Sequence, residues 1–249
     1  MMYLSEPKFF DIVTRQFRFK MNANAAAFTT LILLQVFSLF TSLNSNSTFG
    51  YEDTLRISLY QLSNNSIVGV TWLWAIILGF LLTSAAQRNE SFSFVSNRLS
   101  YHSANLLFML TASIIAGITS VLAGSAVKLF AHIRFGEVFL DSQGLIAAPS
   151  DFLIQLATAI AYTLLFFMIS YAVGMLIQLN KVFILLFIGA WIVSPIIAST
   201  KGNLPIIQPI FEFFAFEQFI LFFLIKVSVA VLGLLVFSVA ITNHLEVRK

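Results

Sequence analysis

The chain contains no cysteine. That excludes disulfides, thiolate nucleophiles, zinc–thiolate sites and iron–sulfur clusters together. Charge is nearly as scarce. Only 10% of the 249 residues are Asp, Glu, Lys or Arg, where an average soluble domain has about 25%. A chain so poor in charge cannot cover a surface that stays in water. At 59% apolar residues it is not a disordered chain either. The net charge is +3 with no basic run beyond a few residues, so nucleic-acid binding has no support. Also missing are G-x-x-x-x-G-K-[ST], H-E-x-x-H and G-x-S-x-G, which removes the usual phosphate cradle, zinc-protease helix and nucleophile elbow. His102, His132 and His244 stand far apart at span edges, without a second ligand at helical spacing, which argues against a metal site.

What is present is long apolar runs and phenylalanine, 28 of them. A membrane-crossing helix needs about 20 apolar residues. Six runs qualify: 22–42, 67–86, 104–130, 152–178, 182–198 and 219–242. Helix is expected because lipid offers an exposed backbone no hydrogen-bond partner. A porin-like barrel would need polar–apolar alternation over about 10 residues at a time, and the runs are unbroken. The expected fold is an all-α membrane protein in one transmembrane domain, 1–249, which leaves no room for a separate soluble catalytic domain. With the N-terminus inside, the inner segments hold nine cations: Lys8, Arg15, Arg18, Lys20, Arg88, Arg98, Lys181, Arg248 and Lys249. The outer segments hold four: Arg56, Lys128, Arg134 and Lys201. Cation bias sets orientation, so both termini are expected in the cytoplasm. The first run follows more than 20 residues that include Glu6 and Asp11, which reads as an uncleaved anchor. Asn46 and Asn64 sit in N-x-[ST] sequons on the expected outer loop and are read as plain polar loop residues.

Five features stand out. In residues 1–21, Phe9, Val13 and Phe17 recur every four positions, while Lys8, Asp11, Arg15 and Arg18 occupy another face. Such a helix lies in the membrane interface, cations near anionic headgroups. The interior connection 87–103 is too polar for lipid and too apolar for a free linker. Phe92, Val95 and Leu99 fall at i, i+3 and i+7 among Arg88, Glu90 and Arg98, which predicts a short helix parallel to the membrane, offering aromatic knobs. Between the last two runs, Pro205 and Pro209 interrupt an apolar stretch, and seven of the thirteen residues from Phe211 to Phe223 are Phe. That predicts re-entrant outer helices. Lys226 lies inside the last run. An unmet mid-span Lys is costly, about 2.5–3.5 kcal/mol, so it either snorkels to Glu212 or Glu217 or faces a substrate path. Ala112, Ala116, Ser120 and Gly124 form a stripe of small residues that admits a close neighbouring helix, expected within the chain.

An amphipathic N-terminal helix, six spans, a short inner helix after span two and apolar re-entrant helices before span six together resemble the permease subunit of type-2 ABC transporters. The string RNESFSFVSNRLS is similar to the aromatic inner loop of such permeases from Gram-positive bacteria. The resemblance covers nearly the whole chain and rests on layout. It implies that Arg88, Glu90, Phe92, Phe94, Val95, Arg98 and Leu99 form a coupling helix seated on a separate ATPase subunit. Phe9, Val13, Arg15, Phe17 and Arg18 would brace that subunit. It further implies a second permease copy or a related permease chain, surrounding membrane lipid, and ATP with Mg held by the partner, with no cofactor in this chain. Lys226, Phe211, Phe214 and Glu217 are the candidate outer gate or substrate path. The implied activity is ATP-driven export of an amphipathic, peptide or lipid-like molecule across the cytoplasmic membrane, with no enzyme activity of the chain's own. The competing expectations are a non-transporting membrane scaffold or immunity protein, and a secondary transporter. Against the latter stand the absence of paired acidic residues in the spans and of broken helices at matching places in two halves.

Overall fold

The computed structural model describes residues 9–43, 47–51, 55–59, 64–84, 87, 98–135, 148–185, 187, 189, 209, 212–214, 216, 217 and 219–244. It is a bundle of helices: α1 (Phe9–Ala23), α2 (Ala25–Leu43), α3 (Asn65–Leu82), α4 (Arg98–Phe135), α5 (Pro149–Leu179) and α6 (Ile220–His244). Among the described residues, five helices, α2 to α6, are long and apolar enough to cross a membrane. They overlie five of the six expected runs, four of them within four residues at each end, while α4 exceeds its run by six residues at its start and five at its end. Most of the run 182–198 lies outside the described residues, as does most of the expected re-entrant stretch. A two-stranded antiparallel hairpin, β1 (Ser47–Tyr51) with β2 (Leu55–Leu59), joins α2 to α3. The sequence reading placed a plain loop there. The segments STFGY and LRISL include Thr48, Phe49, Tyr51 and Ile57, β-branched and aromatic residues that suit a paired ribbon.

Local chemistry sets the helix ends. α1 and α2 are separated by Asn24, whose side-chain amide donates back to Lys20 O at 2.9 Å while its own carbonyl accepts from the Ala27 amide. An Asn side chain that competes for backbone groups in this way marks a break. α5 opens with Pro149, where the missing N–H costs nothing, and Asp151 sits in its first turn near the positive end of the helix. α4 has 38 residues, about 57 Å at 1.5 Å per residue. It overshoots a hydrocarbon core of about 30 Å.

Side-chain contacts give the direction of each helix. Gln35 and Ala27 of α2 meet Thr71 and Trp74 of α3, so these two are antiparallel. Tyr101 near the start of α4 reaches Leu82 O at the end of α3, and Gly124 of α4 faces Asn64 ahead of α3. His102 meets Tyr171 while Gly117 meets Ile160, so α4 and α5 are antiparallel too. α3 and α5 run parallel, with Trp72 beside Tyr162 and Phe166 at one end and Thr83 against Gly174 at the other. α5 and α6 also run parallel. Tyr162 stacks on Phe223, and Tyr171 connects through His102 to Thr242. The bundle therefore has a hairpin end, with β1 and β2, and a terminal end, with α1 and His244.

α5 is the central element and packs on α3, α4 and α6. Its Leu165, Phe167, Met168 and Tyr171 join Trp74, Leu78, Phe108, Met109, Ala112 and Ala116 in one core. Close approach depends on small residues. A methyl on Gly79 of α3 would overlap the Ser170 hydroxyl and lie 2.9 Å from the Phe167 carbonyl oxygen. The stripe Ala112, Ala116, Ser120 and Gly124 is buried along its length, against partners in this chain.

Candidate functional site

Among the described residues, a cluster of polar side chains stands at each end of the apolar bundle. At the terminal end, α1 lies on α4. Its buried face is Val13, Gln16 and Lys20, at steps of three and four. Phe17 is half-buried against the core, while Phe9, Arg15 and Arg18 are exposed. The helix thus forms where its periodicity places it, but it turns Val13 and a cation toward the bundle. Lys20 is 1% exposed, with Nζ 4.8 Å from the centre of the Tyr101 ring, a geometry in which the ring face attracts the ammonium. Gln87, at the head of the connection between α3 and α4, donates from Nε2 to Asn24 Oδ1 at 3.0 Å. The start of that connection is thereby tied to the α1–α2 break.

Behind α1 runs a chain of buried hydrogen bonds whose polarity can be assigned. Thr242 Oγ1 donates to Ser238 O at 2.8 Å. Its lone pairs then face His102, so His102 Nε2 carries the proton and donates across 2.9 Å. Nδ1 is left bare and accepts the Tyr171 hydroxyl at 2.9 Å. The Tyr171 oxygen in turn accepts from Asn105 Nδ2 at 2.8 Å. The imidazole is neutral in this arrangement, and the chain joins α4, α5 and α6. Asn105 and Tyr171 are fully buried. Asn105 Oδ1 and both amide atoms of buried Gln16 have no hydrogen-bond partner among the described residues.

At the hairpin end, Lys226 of α6 forms an ion pair with Glu217. It also donates to Phe213 O at 3.2 Å and lies 4.2 Å from the centre of the Phe213 ring. Tyr162 of α5 donates to the next carbonyl, Phe214 O, at 2.9 Å. Two consecutive carbonyls are thus pinned to two different helices, over an aromatic set formed by Trp72, Tyr162, Phe166 and Phe223. Three of the four expected outer-gate residues, Lys226, Phe214 and Glu217, are brought together. Phe211 lies outside the described residues. On the flank of the bundle, α4, α5 and α6 line an open apolar recess of about 500 Å³, with Leu106, Leu110, Ile160, Leu164 and Val231 in its wall and Ser228 its one polar side chain among the described residues.

Of the expected coupling residues, Arg88, Glu90, Phe92, Phe94 and Val95 lie outside the described residues. Arg98 and Leu99 form the first turn of α4, with Leu99 exposed. Asn46 lies outside the described residues. Asn64 stands just ahead of α3 with its amide against Gly124, and Oδ1 is buried. Sequence reasoning missed Tyr162, Asn105, Tyr171 and Thr242, and set His102 aside for want of a second metal ligand. The available signal was polar residues inside apolar spans. Among the described residues no three His, Asp or Glu side chains gather as a metal site would need. Compared with family models, curated proteins and solved structures, the chain matches none.

Proposed function

We propose that this chain is the permease subunit of an ATP-driven exporter with the type-2 ABC layout. It moves an amphipathic, peptide or lipid-like molecule across the cell membrane while a separate ATPase subunit holds ATP and Mg and hydrolyses the nucleotide. One observation carries the layout. α5 and α6 run parallel, so the chain between them must return from the terminal end to the hairpin end. That supports a sixth span over 182–198 and an even number of crossings, with both termini on one side, which the cation bias of the sequence makes the cytoplasm. The segment then arrives at the hairpin end, where Lys226 and Tyr162 hold residues 213 and 214, as a re-entrant outer cap requires. At the other end, Gln87 and Tyr101 place both flanks of the interior connection next to α1. A push on that connection has a buried, hydrogen-bonded route into α4, α5 and α6.

The apolar recess between α4, α5 and α6 suits a substrate with an alkyl or apolar part. The permease works as a pair, with a second copy or a related chain completing the path. In the test, the chain is co-expressed with its candidate ATPase, co-purified and reconstituted. Phe92→Ala with Phe94→Ala is expected to lose the ATPase on purification or to leave its hydrolysis uncoupled from transport. Unchanged binding and transport in the double variant would refute the coupling role, and substrate movement by the chain alone would refute the permease reading itself.

A further inference from the structure

We propose that the chain Asn105–Tyr171–His102–Thr242 is a two-state latch. Closed, it holds the ends of α4, α5 and α6 together at the α1 end; open, its polar groups face the water of an inward-facing cavity. Every link joins two different helices: α4 to α5 at 2.8 Å and 2.9 Å, and α4 to α6 at 2.9 Å. All four side chains are buried. A joint needed only for stability is better filled with apolar groups of the same shape, because paired polar groups gain little over the hydration they give up. A joint that must part is better built from neutral hydrogen bonds, since water replaces each of them when the helices separate.

Two details favour parting. The closed state leaves Asn105 Oδ1 unpartnered among the described residues, and likewise both amide atoms of Gln16 in the overlying α1. Entering water offers these groups partners, which narrows the gap between closed and open. Nothing in the chain carries a net charge in the assigned tautomer, so separation does not require breaking a buried ion pair. What drives the latch rests on the permease reading. The latch itself is read on this chain alone.

Because the chain has no cysteine, Ser238→Cys places a single thiol one turn from Thr242, and Ser238 is fully buried in the closed state. The full chain is reconstituted in liposomes and its alkylation by N-ethylmaleimide is followed. Tyr171→Phe strands Asn105 and His102 in the closed state only, so labelling is expected to rise about tenfold. Thr242→Val should act in the same direction, and carries the test if Tyr171→Phe does not fold. The apolar set Asn105→Leu, His102→Phe, Tyr171→Phe and Thr242→Val together should label no faster than the parent, because nothing polar is left to hydrate. Unchanged labelling in the folded single variant would overturn the latch, as would an apolar set labelled as fast as the single variants. ATPase co-purification is measured separately, so failure of the latch and failure of the permease reading give different results.

Discussion

At the scale of single residues, the informative groups are polar atoms placed where lipid and core surround them. Lys226 within an apolar run implies a counter-charge, and Glu217 supplies it. Removing one partner leaves the other without its counter-charge. Lys226→Met and Glu217→Gln are each expected to lower stability by about 1–3 kcal/mol. The double variant should lose less than the sum, a coupling that a double-mutant cycle of thermal unfolding in detergent reads out. Additive losses would show that the pair is incidental. This site was legible because a charge inside a span demands an explanation. His102 was not legible. Its partners stand 69 and 140 positions away in the chain, and each is a hydroxyl, a residue type common in spans. No spacing rule links them; only the fold does.

At the scale of elements, helices close up where side chains are smallest. Gly79 and Gly69 both lie in α3 and test this against each other. A methyl at Gly79 meets Ser170 and the Phe167 carbonyl, whereas a methyl at Gly69 meets nothing within 4 Å among the described residues. Gly79→Ala is expected to cost about 1–3 kcal/mol by forcing α3 from α5. Gly69→Ala should be neutral or stabilising by up to about 1 kcal/mol through helix propensity. Thermal unfolding of the two variants compares them, and equal effects would contradict the packing described. Five helices were readable from apolar runs, since crossing a bilayer fixes both length and composition. The β1–β2 hairpin was not, because two five-residue segments next to long spans carry only weak alternation. The burial of Lys20 in α1 was not legible either. Periodicity separates apolar from charged positions, but only the fold brings the Tyr101 ring of α4 against Lys20, which is buried.

At the scale of the whole molecule, the directions of the helices set which ends lie together. α2 and α4 run from the terminal end to the hairpin end, and α3, α5 and α6 run back. A permease driven from the cytoplasm by a separate ATPase needs α1, the interior connection and the end of α5 on the driven side, with residues 212–217 on the other. Single cysteines in this cysteine-free chain locate each segment without background. The measurement is side-specific labelling of sealed vesicles with an impermeant maleimide, on Phe10→Cys, Phe94→Cys, Asp151→Cys, Lys181→Cys and Phe216→Cys. The account predicts that positions 10, 94 and 181 react from the cytoplasmic face and positions 151 and 216 from the opposite face. Labelling of 181 and 216 from the same face, or of 94 from the face opposite to 10, would contradict it.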